Sequence, residues 1–179
     1  TPLVVLTPSS PLTPLTPLTL RVVCVGDTHA VNIAVPPGDI FIHTGNFSTF
    51  AGAKVSEFIN YVSRLPHKYK IVVGGFNENR LAAQLLQSQG RYYPKLLYLD
   101  GAATMLYGLR IYCATKVLTP NRLTYIPFNC INDIVISHYP PAGILDLVDN
   151  EHVGSIELLE NLELYPPKIC IFCGSSVSG

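Results

Sequence analysis

An aspartate and a histidine two positions apart follow a short apolar run near the start of the chain. Val22 to Val25 are continuously apolar and mostly β-branched, which is typical of a buried parallel strand. Gly26 allows the backbone to turn where this strand ends, and Asp27 and His29 follow the turn. Open α/β sheets bind ligands at the carboxyl ends of their strands, and a carboxylate with an imidazole can hold one cation. An isolated Asp-x-His also occurs where an aspartate caps a turn beside a surface histidine.

Three later segments carry further polar residues in a characteristic order. They are residues 37–47 (Pro-Gly-Asp-Ile-Phe-Ile-His-Thr-Gly-Asn-Phe), 71–78 (Ile-Val-Val-Gly-Gly-Phe-Asn-Glu) and 136–146 (Ile-Ser-His-Tyr-Pro-Pro-Ala-Gly-Ile-Leu-Asp). With the first motif, they resemble the calcineurin-like metallophosphoesterases, and among these the small metallophosphoesterase domain-containing group. The resemblance covers about Leu20 to Gly179 and is most specific between Ser137 and Leu159. It implies an α/β fold in which a layered β-sandwich is flanked by helices, and a phosphoesterase reaction that needs two metals.

The resemblance also implies which residues would hold those metals. Asp27 and His29 match the family's ligands for one metal, and His138 matches a histidine ligand of a later motif. Asn46 stands at the position of the aspartate that bridges both metals in the family. A neutral amide is a poor substitute there, because it carries no negative charge to offset the repulsion between two cations.

The third and last motifs also depart from the family pattern. Phe76 stands at the position of an asparagine ligand, and Asn77 stands at that of the histidine that protonates the leaving group. A one-residue shift would restore Asn77 as a ligand but would place Glu78 at the acid position. Residues 174–177 read Gly-Ser-Ser-Val, whereas the family motif Gly-His-x-His supplies two imidazoles. The chain therefore lacks the general acid that the family mechanism uses.

Electrostatics limits how many metals this site can hold. Two divalent cations about 4 Å apart repel by on the order of 15 kcal/mol even at an effective dielectric constant of about 20. We expect Asp27, His29 and His138 to hold at most one weakly bound manganese or zinc ion, or to remain as a hydrogen-bonded relic without any metal. Asn46 and Asn77 are expected either to cap turns or to contact a phosphate.

Three functions remain open on this reading. The first is a non-catalytic interaction protein, in which the metallophosphoesterase fold is a rigid scaffold inside a larger intracellular assembly. The second is a residual metal-dependent phosphodiesterase, which would make the chain a phosphoric diester hydrolase. The third is a nucleotide-binding module without catalysis, and Gly174 to Gly179 could contribute backbone amides to its phosphate site.

Composition favours protein partners over nucleic acid or membranes. Charged residues make up 13% of the chain, against about 25% in typical globular proteins, so neighbouring subunits are expected to cover part of the surface. The formal net charge is zero, which gives no electrostatic attraction to nucleic acid. No apolar run is long enough for a membrane span. The five cysteines predict no disulfide framework, and Cys170 and Cys173 are expected to pack in a buried strand or, less simply, to bind metal.

The rest of the pattern alternates strands with helices, which indicates an α/β layered fold. Strands are predicted at Arg21–Val25, Asp39–His43, Lys70–Val73, Leu96–Leu99, Arg110–Cys113, Asp133–Ser137 and Lys168–Phe172, and helices at Ala53–Leu65, Asn79–Gln89 and Ser155–Leu164. Gly90 is placed to end the second helix.

Two regions are predicted outside or at the limits of this domain, which we expect to span residues 20–179. Residues 1–19 repeat Leu-Thr-Pro and form an extended, proline-rich arm that we expect to lie along this domain or a neighbouring subunit. Relatives continue with further strands after the position of Gly179, so we expect C-terminal strands to be missing. A start at Thr1 is compatible with a fragment or with removal of a targeting peptide, for example a mitochondrial one.

Overall fold

Two four-stranded sheets form the centre of the molecule. The computed structural model describes residues 18–49, 54–78, 80–89, 92–114, 116–119, 122–125 and 129–173. The first sheet has the order β1-β2-β3-β4 and is parallel throughout, with strands β1 Val22–Val25, β2 Ile40–His43, β3 Tyr69–Val72 and β4 Leu96–Tyr98. The second has the order β12-β9-β6-β5, with strands β5 Ala102–Leu106, β6 Leu109–Cys113, β9 Ile134–Ser137 and β12 Ile169–Phe172. Only its β5–β6 pair is antiparallel.

The sheets pack face to face through alternate side chains of their strands. Ile40, Ile42 and Ile71 of the first sheet share one buried cluster with Ile111 and Ile134 of the second. Because successive residues of a strand point to opposite faces, the intervening residues of β2 face away from the second sheet. The predicted layered β-sandwich is therefore confirmed.

Helices cover both outer faces of this sandwich. Helix α1, Val55–Arg64, and helix α2, Arg80–Gln89, pack on the first sheet through a cluster that includes Phe41 and Phe58. Helix α3, Ile156–Leu164, packs on the second sheet through Leu158. Its first turn is capped by the Ser155 hydroxyl, which accepts a hydrogen bond of 3.1 Å from the Leu158 amide.

All seven strands and three helices predicted from the sequence are present, with bounds that differ by one or two residues. Five further strands in the described part of the chain were not predicted: β5, the hairpin of β7 (Lys116–Thr119) with β8 (Arg122–Tyr125), and the short pair β10 (Leu147–Val148) with β11 (Glu151–His152). Strand β5 joins β6 through Tyr107 and Gly108, both with positive φ (53° and 79°), as a two-residue type I′ turn requires.

Several sequence predictions concern positions outside the described residues. These are residues 1–17 of the arm, the start of the first helix at Ala53, the helix-ending Gly90 and the glycine- and serine-rich segment from Gly174 to Gly179. The division of the chain into an arm and a domain stays a prediction.

Candidate functional site

The polar residues identified from the sequence meet at the carboxyl ends of parallel strands. Asp27 and His29 follow β1, and Asn46 follows β2. The two segments are joined by backbone hydrogen bonds, from the Asp27 amide to the Gly45 carbonyl (3.1 Å) and from the His29 amide to the Asn46 carbonyl (2.9 Å). Parallel pairing of β1 with β2 brings their ends to the same edge, which is why these residues converge.

The second sheet contributes His138 and Cys173 to the same edge. Strands β9 and β12 pair in parallel with Ser137 opposite Phe172, so His138 and Cys173 are the next residues along each strand. The Cys173 amide donates to the His138 carbonyl at 3.2 Å. The His138 ring crosses to the first sheet, where Nδ1 lies 2.8 Å from the Thr44 carbonyl oxygen. The site therefore lies at the junction between the two sheets.

Three site residues adopt the left-handed backbone conformation. The φ angles are 50° for Asp27, 46° for His29 and 52° for Asn46. Each such residue costs on the order of 1 kcal/mol relative to an ordinary conformation, although Asp, Asn and His tolerate it best. Strained backbone of this kind is typical of functional sites, where surrounding contacts hold it in place.

Two glycines allow these loops to approach each other closely. Gly45 has a φ of 115°, and a Cβ there would lie 2.6 Å from Nδ1 of His138. A Cβ on Gly75 would collide with the backbone nitrogen of Asn46 and lie 2.9 Å from Cε1 of His138. No other residue fits either position without moving the neighbouring loop.

Glu78 holds the loops after β2 and β3 together through four hydrogen bonds. Its Oε2 accepts from the amides of Asn46 (2.8 Å) and Gly75 (2.7 Å). Its Oε1 accepts from the amide (2.9 Å) and the hydroxyl (2.7 Å) of Ser48. A carboxylate with both oxygens used in this way is a structural acceptor that ties the two loops to each other.

Asn46, Asn77 and His29 form a second network beside this one. The Asn46 side-chain oxygen accepts a hydrogen bond of 3.0 Å from the backbone N–H of Asn77. The Asn77 side-chain nitrogen lies 3.3 Å from the Ser48 carbonyl oxygen and 3.2 Å from Nδ1 of His29. Because an amide nitrogen can only donate, Nδ1 of His29 is an acceptor, and a neutral ring then carries its proton on Nε2. In this arrangement His29 has no lone pair left for a cation.

Asp27, His138 and Cys173 form a different cluster. One potential ligand atom from each lies within 4.8 Å of the other two, and within the described ranges they make a group that could hold a metal ion. The Cys173 thiol donates to Oδ2 of Asp27 at 3.2 Å. Because Nδ1 of His138 faces a carbonyl oxygen, it carries the proton, which leaves the ring's lone pair on Nε2.

The ligand set predicted from the sequence, Asp27, His29 and His138, stays a prediction, but the geometry groups Cys173 with Asp27 and His138 in place of His29. Sequence reasoning gave Cys173 mainly a packing role. Its position directly after a predicted strand, where Asp27 and His138 also lie after theirs, is the signal that would have identified it.

Two further histidines, one at the end of β2 and one in the loop before β3, are structural. His43 is fully buried; Nδ1 accepts from the Gly45 amide (3.2 Å), so Nε2 donates to the Thr28 hydroxyl (3.0 Å). Burial lowers the pKa of His43 to about 3, so the ring is neutral. His67 is buried against the ring of Phe41, and burial lowers its pKa as well.

The segment from Pro140 to Gly154 folds around a buried aspartate. The carboxylate of Asp146 accepts from the amides of Gly143 (2.9 Å) and Gly154 (3.1 Å) and contacts Nδ1 of His152 at 2.7 Å. Several large apolar side chains near this hub are exposed: Ile144, Leu145, Leu147 and Ile156. Leu145 is 84% exposed.

Among the residues that the structure describes, no helix has both the length and the apolar character needed to cross a membrane.

Comparison with known proteins identifies relatives of this chain. A Caenorhabditis elegans protein of the UPF0046 group is 32% identical over 86% of this chain and 62% of its own length. Human metallophosphoesterase domain-containing protein 1 is 29% identical over 85% of this chain and 59% of its own length. Another C. elegans UPF0046 protein is 28% identical over 86% of this chain and 67% of its own length. No family model matches the chain.

These relatives belong to the group that the sequence motifs resemble. The resemblance inferred from the motifs is therefore confirmed. The chain spans about 60% of the length of the first two of them.

Proposed function

We propose that this chain, a relative of the metallophosphoesterase domain-containing proteins, is a metallophosphoesterase-fold scaffold that binds other proteins and does not perform two-metal hydrolysis. Its partners would be subunits of a larger intracellular assembly.

The residue type and the hydrogen bonds of Asn46 are the main support for the absence of two-metal hydrolysis. The family position implies a carboxylate shared by two cations, but Asn46 offers one neutral oxygen, which already accepts from the Asn77 amide at 3.0 Å. The backbone N–H of Asn46 donates a hydrogen bond of 2.8 Å to the Glu78 carboxylate. The Asn46 side-chain oxygen and the Glu78 carboxylate are therefore both engaged by backbone N–H donors. The residues present do not fit a two-metal centre.

Asn77 adds a second obstacle to hydrolysis. At the position of the family's proton donor it presents an amide, which does not ionise and cannot protonate a leaving group. Its side-chain nitrogen is directed to the Ser48 carbonyl and to His29.

The exposed apolar side chains around Asp146 support the protein-binding half. Ile144, Leu145 and Leu147 are all at least 44% exposed on a segment held by three contacts to one carboxylate, and Ile156 at the start of α3 is 57% exposed. A rigid apolar surface loses little conformational entropy when a partner binds, which favours affinity.

Hydrolysis of an aryl phosphodiester in the presence of manganese tests the first half. We expect no turnover above the rate of buffer with manganese alone. Turnover well above background that disappears in Asp27→Ala but persists in the surface variant Glu160→Ala would falsify the proposal, since Glu160 is exposed on α3 away from these motifs.

Affinity purification with quantitative mass spectrometry tests the second half. The experiment compares the wild-type chain with Leu145→Asp and with a matched control, Leu164→Asp, because Leu164 is an exposed leucine at the end of α3. We expect a reproducible set of proteins that is retained by the control and lost from Leu145→Asp. Equal recovery by all three chains would remove the support for this surface.

A residual single-metal phosphodiesterase is the second candidate, because Asp27 and His138 do lie in one cluster that could hold an ion. The hydrolysis assay above distinguishes it from the scaffold. Phosphate contact by Asn46 and Asn77 in a nucleotide-binding module also stays a prediction, and a thermal-shift panel of nucleoside monophosphates measures it.

A further inference from the structure

The acidic residues of this chain are concentrated in one segment. Residues 123–167 contain seven of the twelve aspartates and glutamates and no lysine or arginine. The rest of the chain holds all twelve lysines and arginines with the other five acids, which gives it a formal charge of +7. The net charge of zero is therefore the sum of an acidic segment and a basic remainder.

Four of the seven acids in this segment are exposed, namely Asp149, Glu151, Glu160 and Glu163. Two of the others are already used, because Asp146 is buried and Asp133 is paired with Lys168 at 2.6 Å. Within the part of the chain that the structure describes, none of the four exposed carboxylates forms a hydrogen bond or an ion pair. Their negative charge therefore faces solvent.

Helix α3 presents acidic and apolar side chains on one exposed face. Ile156, Glu160 and Glu163 are four and three residues apart, which aligns them along one face of a helix with 3.6 residues per turn. All three are exposed, whereas Leu158 on the other face is buried against the second sheet. An apolar side chain is thus followed along the helix by two carboxylates.

The segment before α3 carries the same combination. Leu147 of β10 is 61% exposed, and Asp149 and Glu151 follow it in the β10–β11 hairpin. This segment is joined to the start of α3 through Ser155, whose carbonyl accepts from the Ala142 amide at 3.0 Å. The hairpin and the helix are therefore neighbouring parts of one surface. We call the exposed side chains of residues 144–163 the acidic-apolar surface.

We propose that the acidic-apolar surface binds a basic amphipathic segment of a partner protein, in which leucine-like residues and lysines or arginines recur at helical spacing. The inference rests on the proposed function as a protein scaffold and adds the chemistry of the partner. Lysine and arginine cover apolar surface with their aliphatic stems while their charged ends reach nearby carboxylates. Opposite charges across an interface also speed association and exclude wrong partners.

The same charges disfavour other occupants. Nucleic acid and anionic membranes are repelled by exposed carboxylates. A symmetric pair of chains would place this surface opposite itself, because a two-fold contact uses the same patch on both subunits, and like charges would then meet. A head-to-tail contact with the basic remainder of a second copy is the competing arrangement, and the experiment below measures it.

Fluorescence anisotropy with the full chain tests the surface with a defined probe. The probe is a labelled peptide of leucine and lysine, about 18 residues or five helical turns long, with all leucines on one face. Its twin carries glutamate in place of every lysine. We expect the lysine peptide to bind at least about tenfold more tightly than the twin. Because the chain has no net charge, overall attraction does not explain such a preference.

Variants locate the binding on the chain. Glu160→Gln combined with Glu163→Gln keeps side-chain volume and removes two exposed charges, so the lysine peptide should bind about fivefold more weakly. Leu147→Ser should weaken it by about tenfold or more. Glu57→Gln is the matched control, since it removes an exposed acid on α1 outside the surface and should leave the affinity unchanged. Circular dichroism checks that each variant is folded.

Two results would overturn the inference. One is equal affinity for the lysine and glutamate peptides, which requires no variant to fold. The other is wild-type affinity for the lysine peptide in the double glutamine variant.

Analytical ultracentrifugation without peptide measures the competing arrangement. We expect no self-association; a dimer or larger species that disappears in the double glutamine variant would assign the surface to a second copy and would also overturn the inference. The scaffold proposal survives each of these failures if Leu145→Asp still loses its partner proteins. Equal recovery of proteins by all chains in the purification experiment counts against the scaffold proposal, whichever peptide binds.

Discussion

Replacing Glu78 with alanine should destabilise the chain strongly, because one carboxylate accepts four hydrogen bonds from two loops. The variant leaves the amides of Asn46, Ser48 and Gly75 without their acceptor. A buried donor without a partner costs about 1–3 kcal/mol. Glu78 is partly exposed, so water can replace some of these bonds, and we expect a net loss of about 3–5 kcal/mol. A chain of this size has a free energy of unfolding of about 5–15 kcal/mol, so the loss is a large fraction of the total.

Glu78→Gln separates the effect of the carboxylate from that of side-chain volume. Glutamine has nearly the same shape, but its single oxygen can face either the Asn46 and Gly75 amides or the Ser48 amide and hydroxyl. Its NH2 group then faces backbone donors on the other side, so at least half of the alanine loss should remain. A glutamine variant as stable as the wild type would refute this reasoning.

Urea unfolding followed by far-ultraviolet circular dichroism measures both variants, since the chain has no tryptophan to serve as a fluorescent probe. Glu160→Ala is the control, because Glu160 is exposed on α3 and its removal should change stability by less than about 0.5 kcal/mol. A loss below about 1 kcal/mol in Glu78→Ala would show that the loops do not depend on this carboxylate.

Two further predictions concern buried groups of the same region. His43 has a pKa of about 3 when folded and about 6.5 when unfolded, so below pH 6.5 the unfolded chain binds a proton that the folded chain excludes. Stability should therefore fall as pH drops from 6.5 towards 3, by about 2 kcal/mol at pH 5 from this residue alone, and urea midpoints that stay level between pH 7.5 and 5 would contradict it. Gly75→Ala should cost about 1–3 kcal/mol, because its Cβ collides with the backbone nitrogen of Asn46. A thermal midpoint equal to that of the wild type would count against this close approach.

Much of the fold was predictable because its signals are local. Val22–Val25 followed by Gly26, and the apolar face of α1 at Val55, Phe58 and Val62, indicate a parallel strand and a helix from a few neighbouring residues. The burial expected for that strand was wrong, because β1 lies at the edge of its sheet and Cys24 is exposed. Strand β5 was missed because Ala-Ala-Thr-Met-Leu has little β-branched content, and it is held by its antiparallel partner β6 across the turn at Tyr107 and Gly108.

The chemical consequences of two substitutions also followed from the sequence alone. An amide at Asn46 cannot supply two negative oxygens, and an amide at Asn77 cannot act as an acid, whatever surrounds them. Residue type decides these limits, and tertiary structure cannot reverse them.

Only the tertiary structure decided which side chains act together. Cys173 donates to Asp27 across 146 positions of sequence, because β1 and β12 end at one edge of the sandwich. Nδ1 of His29 accepts a hydrogen bond from the Asn77 side chain, so its lone pair is already used. The tautomer of an imidazole depends on the hydrogen bonds that its two ring nitrogens make. A one-residue shift of the third motif would place Glu78 at the position of the family's acid. In the structure Glu78 is a structural acceptor, because two loops present four donors to it. Such relations depend on sheet register and loop approach, and no local pattern encodes them.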